Sequence, residues 1–175
     1  VMDLKIFKLK KSQLTKKSTK SIYFFLINNI KNSVFSLFGH DYFLELLKFN
    51  YKNTFYIKKK GQIVSYISYI EKIDEEKMKK KLFIFIFKNI LFNLPILILN
   101  YKMFFKIHQP PKNYIQLIHL IIKIKEKEKK IKLKLHKKIE NLHQKIVSKK
   151  YQGVYAIYEN KNIIASKYYR KSNFK

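Results

Sequence analysis

The sequence predicts a single α/β domain with a central β-sheet of mixed strand directions, flanked by helices. Three patterns predict it: a β-hairpin at 53–72, a nearly continuous apolar run at 115–122, and alternating strand and helix patterns after that run. A chain of 175 residues suffices for one ordinary domain. At 47% hydrophobic and 16% aromatic content, it offers enough apolar surface to offset the entropy of folding.

The first part of the chain is expected to form one strand and two helices. Residues 3–10 place apolar side chains at near-alternating positions, which predicts a short strand. A helical pattern over 13–31 follows, with Ser12 as its expected N-cap. A second helix is expected over 42–50, with Asp41 as its cap. The apolar face of the first helix is formed by Ile22, Phe25, Leu26 and Ile30.

The clearest local feature is a β-hairpin. Residues 53–72 contain two runs of β-branched and aromatic side chains. Lys59, Lys60 and Gly61 join these runs, and glycine supplies the positive φ angle that a tight turn requires. We therefore expect two antiparallel strands here.

The second half of the chain alternates strand and helix patterns. The apolar run at 115–122 is typical of a strand buried on both faces. An amphipathic helix is expected after it, because apolar residues recur there at intervals of three or four. Residues 153–158 predict another short strand, and Asn160 or Asn162 is expected to cap a last helix that extends to about Lys171. The apolar positions of the amphipathic helix are Ile131, Leu135, Ile139, Leu142 and Ile146.

Residues 73–112 differ in composition from the rest of the chain. A lysine-rich opening leads into an apolar stretch at 82–99, which Lys88 and Pro95 interrupt. Spanning a bilayer takes about 20 largely apolar residues, and a lysine near its centre costs roughly 2.5–3.5 kcal/mol, so a transmembrane helix is disfavoured. Two interpretations stay open. One is a pair of helices packed into the core and broken at Pro95, and the other is an interfacial helix in peripheral contact with an anionic membrane through 78–106.

The chain is strongly basic, since 39 lysine and arginine residues against 11 acidic ones give a net charge of +28. Arg170 is the only arginine. Base reading and bidentate phosphate recognition favour the guanidinium group, so this composition opposes a sequence-specific nucleic-acid binder. The charge still attracts anionic lipid or nucleic acid without specificity. Part of it is also what A/T-rich codons would produce, given the abundance of lysine, isoleucine and asparagine.

Cysteine and histidine usage limits the chemistry that the chain can perform. No cysteine is present, which excludes disulfides, thiolate catalysis and cysteine-ligated zinc. His136 and His143 are expected on one helix face, but two histidines without a carboxylate lead us to expect no metal. Residues 1–10 alternate apolar and basic side chains and contain no apolar signal core. We therefore expect a cytoplasmic protein, with peripheral attachment at the inner face of the membrane as the alternative.

Several segments follow the motifs of one known family. SVFSLFGHDYFLELL at 33–47 is similar to the segment around that family's first helices, and FYIKKKGQIVSYISYIE is similar to its second and third strands. IQLIHLII resembles the fourth strand and GVYAIYEN the fifth. Together these segments resemble the GNAT superfamily of acyl-CoA-dependent N-acetyltransferases, in particular members linked to bacterial surface-polysaccharide biosynthesis. The closing motif of the family is matched by Asn162, Ala165, Tyr168, Tyr169 and Phe174.

The resemblance implies both a fold and an activity. The fold is a single GNAT-like domain over 1–175, with the apolar helical insertion at about 73–112. GNAT domains continue beyond their closing motif with two more strands, so the resemblance also implies that the last two strands are missing here. The implied activity is transfer of acetyl from acetyl-CoA to a primary amine, with an amino sugar as the implied small-molecule acceptor.

The resemblance places acetyl-CoA on two adjoining segments. Its pantetheine arm would pair with the exposed end of the fourth strand at Leu120, Ile121 and Ile122. Its pyrophosphate would lie at the start of the next helix, where unpaired N–H groups and the helix dipole suit an anion. Two glycines of the family's loop are here Lys130 and Lys132, which either hold the phosphates or belong to a solvated loop. The implied cofactor-binding residues of this loop are Lys127, Glu128, Lys129, Lys130, Ile131 and Lys132, and Asn162 joins them from the closing motif.

The resemblance also suggests catalytic residues. Tyr169 matches the tyrosine that protonates the departing CoA thiolate in many family members, and its alternative role is core packing. The family's fourth strand often carries a glutamate as base, but Gln116 stands in that position and cannot act as one. His119 on the same strand has suitable chemistry near neutral pH, while the alternative for a histidine in an apolar strand is a structural role.

Other function classes stay open from the same residues. The lysines in the cofactor loop, Gln116 and the missing strands favour a catalytically inactive, basic GNAT-like domain that binds an anionic membrane surface or nucleic acid. A third interpretation is a membrane-surface protein anchored by 78–106. Binding of acetyl-CoA distinguishes the first interpretation from the other two.

Overall fold

A five-stranded β-sheet forms the centre of the structure, a computed structural model that describes residues 4–30, 34–88, 113–124 and 128–156. The strands lie in their chain order. Each of the first four is antiparallel to its neighbour, while the fourth and fifth run parallel. This arrangement confirms the predicted α/β class with mixed strand directions. The strands are β1 (Leu4–Lys8), β2 (Thr54–Lys59), β3 (Gln62–Ile70), β4 (Tyr114–Ile122) and β5 (Gly153–Ala156).

Helices cover both faces of this sheet. They are α1 (Lys16–Ile27), α2 (Val34–Asn50), α3 (Lys72–Lys88) and α4 (Lys129–Lys150), with short 3-10 turns at Lys11–Gln13 and Tyr51–Asn53. α4 connects β4 to β5 and packs on one side, called here the α4 face. α1 and α2 pack on the other side, called the α1–α2 face, and α3 packs beside α2.

Each face of the sheet has its own hydrophobic cluster. On the α4 face, Leu135 and Ile139 are fully buried against strand residues that include Ile67 and Ile115. Full burial of such a side chain contributes roughly 1.5–3 kcal/mol. This burial confirms the amphipathic pattern that predicts α4. The cluster on the α1–α2 face contains Leu9, Ile22, Leu26, Tyr42, Phe43, Leu47, Tyr56 and Tyr66.

α1 begins later than its sequence pattern suggests. The expectation that Ser12 caps a helix from residue 13 is wrong, because Lys11–Gln13 form a separate 3-10 turn and Thr15 is the N-cap. The Thr15 hydroxyl accepts a hydrogen bond from the N–H of Ser18 at 3.2 Å. This bond satisfies one of the donors that the first turn of a helix leaves open.

Gly39 divides α2 into two helical segments. Its φ of 78° and ψ of −173° lie in a region that essentially only glycine occupies. The segment after Gly39 agrees with the predicted second helix and buries Phe43 and Leu47. Asp41, the predicted cap, accepts a hydrogen bond at 2.9 Å from the Nζ of Lys16. This ion pair connects α2 to the first turn of α1.

β2 and β3 form the predicted hairpin. Lys60 and Gly61 occupy its turn, with φ angles of 48° and 81°. Two consecutive positive φ angles are typical of a type I′ turn, whose twist matches that of the flanking strands. The sequence pattern therefore identified both strands and their connection.

α3 spans Lys72–Lys88 and confirms the prediction that the segment 73–112 begins with a helix. Residues 89–112, including Pro95, lie outside the described part of the chain. The predicted last helix, from Asn160 or Asn162 to Lys171, lies outside it as well. Among the described residues, no helix combines the length and the apolar content needed to cross a membrane.

Candidate functional site

β4 contains a β-bulge at Ile118. Two consecutive residues of β3 pair with His119 and Leu117, so Ile118 between them has no partner in this register. A bulge bends a strand and changes the direction of the side chains that follow it. Strict alternation would place His119 on the same face as Leu117, but the bulge places it on the α1–α2 face with Gln116.

The C-terminal half of β4 has an open edge within the described residues. There, β5 pairs with β4 only as far as Leu117, whereas β3 continues beside β4 to Ile122. Residues 118–122 are all partly exposed, so the prediction of a strand buried on both faces is wrong for this half. Leu120 and Ile122 pack against the cluster on the α4 face, and Ile121 packs on the opposite face.

The first turn of α4 follows this open edge. Glu128 occupies the N-cap position, and its carbonyl accepts hydrogen bonds of 3.0 Å from the N–H groups of Ile131 and Lys132. The N–H groups of Lys129 and Lys130 stand at helix positions that have no acceptor within the helix. The side chains of Lys129, Lys130 and Lys132 are exposed, and Ile131 is partly buried. Together these groups offer positive charge and N–H donors to an anion.

A carboxylate stands at the same helix terminus. Glu128 accepts a hydrogen bond from the Nζ of Lys59, the last residue of β2. The Lys59 side chain is 14% exposed and the Glu128 side chain 28%, so water screens this ion pair only in part. A negative charge suits a helix N-terminus. A phosphate group bound here would therefore meet a carboxylate as well as the lysines.

His119, the predicted base, lies beside Ser68 and Tyr66 on the α1–α2 face. Its Nδ1 is 2.9 Å from the Oγ of Ser68, and its ring centroid is 6.0 Å from that of Tyr66. Burial lowers the pKa of His119 to about 4. A general base works best with a pKa near the working pH, so this imidazole is a weak proton acceptor at neutral pH. The contacts of His119 favour the structural alternative.

Gln116 and Tyr155 are neighbours on the α1–α2 face, and the Glu75 carboxylate acts electrostatically on Tyr155; these three residues are called here the oxygen cluster. Gln116 and Tyr155 are direct partners in the β4–β5 ladder. The Oε1 of Gln116 and the hydroxyl of Tyr155 are enclosed, and neither has a hydrogen-bond partner among the described residues. Burial and the negative charge of Glu75 raise the pKa of Tyr155 to about 12. The Glu75 carboxylate also pairs with the Nζ of Lys79 at 2.7 Å.

Sequence reasoning did not identify Glu75 or Tyr155. Glu75 lies in the lysine-rich start of the segment 73–112, where the sequence predicts a solvent-exposed carboxylate on a helix. Tyr155 lies in a strand pattern, and strands favour aromatic residues. The parallel pairing of β5 brings Tyr155 beside Gln116, and the fold places Glu75 within electrostatic range of Tyr155. The one signal in the sequence is Gln116 itself, a polar residue in an apolar run.

Both histidines of α4 have a lowered pKa, and His143 contacts the central sheet. The Nδ1 of His143 is 2.9 Å from the hydroxyl of Tyr69 in β3, and burial lowers the pKa of His143 to about 4. Burial lowers the pKa of His136 as well. The described ranges contain no group of three or more metal-ligating side chains. The expectation of no metal stays a prediction for the whole chain.

Three of the predicted site residues, Lys127, Asn162 and Tyr169, lie outside the described part of the chain, and their roles stay predictions. No family model matches the sequence. None of the curated proteins compared with the chain matches it either. The resemblance to GNAT proteins therefore depends on the sequence segments that suggest it.

Proposed function

We propose that this protein is a cytoplasmic GNAT-type N-acetyltransferase, which transfers acetyl from acetyl-CoA to a primary amine. One observation carries the proposal: the bulged edge of β4 at residues 118–122, which pairs with no other described strand on the β5 side, precedes the N-terminus of α4 in the chain. The mixed sheet and the crossover helix between parallel β4 and β5 are also of the kind that the resemblance implies.

The proposed donor site uses the open edge and the helix terminus together. An unpaired strand edge offers N–H and C=O groups to an extended ligand, and the pantetheine arm carries amide groups that can pair with the backbone from Leu120 to Ile122. The diphosphate then lies at the first turn of α4. There Lys129, Lys130 and Lys132 supply positive charge in place of the close backbone approach that glycines allow.

The proposed acceptor site is the oxygen cluster. An ammonium group donates three hydrogen bonds, and Glu75, Gln116 and Tyr155 each carry an acceptor oxygen, which the amine reaches once the side chains that enclose Gln116 and Tyr155 move aside. Glu75 can accept the proton that the amine loses before it attacks the thioester carbonyl. The C–N bond then forms, the C–S bond breaks, and the thiolate leaves with a proton from Tyr169, which regains a proton from the newly acylated nitrogen. The resemblance suggests an amino sugar as the acceptor.

Titration calorimetry with acetyl-CoA tests the donor site. We expect the wild-type chain to bind, and Lys130→Glu/Lys132→Glu to lose roughly tenfold or more in affinity, because two charges at the helix terminus are reversed. The matched control is Lys134→Glu/Lys137→Glu, which makes the same charge change at exposed positions further along α4. Undetectable binding at millimolar acetyl-CoA, or equal losses in both double variants, would contradict the proposal.

One observation favours a second function. The Lys59–Glu128 ion pair places a carboxylate where a diphosphate would bind, as expected if the fold has lost its cofactor. In that case the protein is an inactive, basic GNAT-like domain that binds anionic surfaces through the exposed lysines of α4. Binding to anionic polymers or vesicles without any binding of acetyl-CoA would support this second function over the first.

A further inference from the structure

The second half of α3 presents large apolar side chains to solvent. Phe83, Ile84 and Phe87 are 55%, 51% and 62% exposed. Met78, one turn earlier on another side of the helix, packs against the cluster on the α1–α2 face. α3 therefore contacts the core through Met78, while Phe83, Ile84 and Phe87 form an outward apolar surface, called here the α3 aromatic surface.

These apolar side chains lie next to a group of lysines. The Phe83 and Phe87 rings stack with centroids 6.2 Å apart, which makes one continuous surface. Lys80 stands three, four and seven positions before Phe83, Ile84 and Phe87, on the same stripe of the helix. The exposed lysines of this segment are Lys77, Lys79, Lys80 and Lys81.

The charge of the chain indicates what covers this surface. A second copy would bring another net charge of +28 against the first, which opposes self-association through a lysine-flanked face. An anionic lipid bilayer offers the complementary charge to the lysines and an apolar interior to the phenyl rings.

We propose that the α3 aromatic surface docks on an anionic membrane, with Phe83, Ile84 and Phe87 inserted at the headgroup boundary and the neighbouring lysines at the lipid headgroups. This inference is independent of acetyl transfer. It narrows the membrane contact expected within 78–106 to one face of one helix and to named side chains.

Sedimentation of the full chain with sucrose-loaded vesicles tests the inference. We expect binding to vesicles of phosphatidylcholine with phosphatidylglycerol, weaker binding at high salt, and little binding to phosphatidylcholine alone. Phe83→Ser/Phe87→Ser should weaken the binding to anionic vesicles by roughly tenfold or more. The matched control is Phe24→Ser/Leu133→Ser, which removes side chains that are 46% and 70% exposed on α1 and α4. Equal binding of wild type and Phe83→Ser/Phe87→Ser, or an equal loss in the control, would overturn the inference.

Fluorescence provides a second measurement that separates lipid from protein contacts. The chain contains no tryptophan, so Phe83→Trp introduces a single reporter. We expect its emission to be that of a solvated indole in buffer and to shift to shorter wavelength when anionic vesicles are added. Emission that is already at shorter wavelength in buffer would overturn the inference, because another part of the protein would then cover the surface. If that shift disappears on dilution, the covering group is a second copy of the chain.

Discussion

The ammonium group of Lys59, at the end of β2, donates a hydrogen bond to the carboxylate of Glu128, immediately before α4. The two residues are 69 positions apart in the chain. Their contact links the β2–β3 hairpin to the helix terminus proposed to hold a diphosphate. The Glu128 carboxylate is a negative charge at a helix terminus that otherwise carries several lysines. The affinity of this terminus for anions should therefore depend on Glu128.

Replacing Glu128 by Gln should therefore increase the affinity for acetyl-CoA. A charge at a helix N-terminus is worth about 0.3–1 kcal/mol, so we expect a gain of roughly two- to fivefold, and the freed Lys59 adds to it. Titration calorimetry at low salt measures this gain. Glu140→Gln serves as control, because it removes an exposed carboxylate further along the same helix. An unchanged or weaker affinity of Glu128→Gln would mean that the anion binds elsewhere.

His119, which is partly enclosed, and His143, which is buried, predict that the fold loses stability in acid. Burial lowers the pKa of His119 and of His143 from 6.5 to about 4. Between these values the unfolded chain binds protons that the folded chain excludes, so the free energy of unfolding falls as the pH drops below 6.5. Each histidine accounts for at most roughly 3 kcal/mol near pH 4.

Urea unfolding from pH 7.5 down to pH 4.5 measures this effect. The variant His143→Gln carries no titrating group in that position, so its stability should depend less steeply on pH than that of the wild type. The same pH dependence in both proteins would show that His143 does not cause the acid sensitivity.

Gly39 should be sensitive to replacement even though space surrounds it. A Cβ atom at Gly39 would meet no atom within 4 Å, so the cost of Gly39→Ala comes from the backbone alone. With φ at 78° and ψ at −173°, we expect a loss of about 1–3 kcal/mol in the free energy of unfolding. Gly61→Asn is the control, because Asn tolerates the left-handed region that the hairpin turn requires. Equal stability of Gly39→Ala and wild type would mean that residue 39 does not have this backbone conformation and that the kink in α2 lies at another residue.

Tyr155→Phe should stabilise the protein. Its enclosed hydroxyl has no hydrogen-bond partner among the described residues, and a buried polar group without a partner costs about 1–3 kcal/mol. We expect a gain of about 1 kcal/mol in the free energy of unfolding, measured with urea. Tyr66→Phe is the matched control and should lose stability, since the Tyr66 hydroxyl bonds to Ser68 and Thr54.

The same variant also bears on the acceptor site. If the oxygen cluster binds the acceptor amine, Tyr155→Phe should raise the KM for the amine while it stabilises the fold. A loss of stability in Tyr155→Phe would show that the hydroxyl already has a partner, and would argue against an acceptor site there.

Local patterns identified most elements of the fold, but they did not identify how residues on different elements meet. The hairpin was predictable because its strands and the turn at Lys60 and Gly61 are contiguous. The N-cap of α1 was misassigned because Ser12 and Thr15 have equivalent chemistry, and only the 3-10 turn before the helix distinguishes them. The face of His119 was not predictable, since the bulge at Ile118 reverses the alternation.

Composition and local pattern account for the α/β class, the hairpin, the amphipathic α4 and the large positive charge. Each of these follows from residues that are neighbours in the chain, where spacing decides which side chains share a face. Three relationships come from the tertiary structure: Glu128 pairs with Lys59, Tyr155 lies beside Gln116 within electrostatic range of Glu75, and Phe83 and Phe87 face outward. These relationships depend on strand order, strand register and helix packing, which bring together residues that local periodicity treats as unrelated.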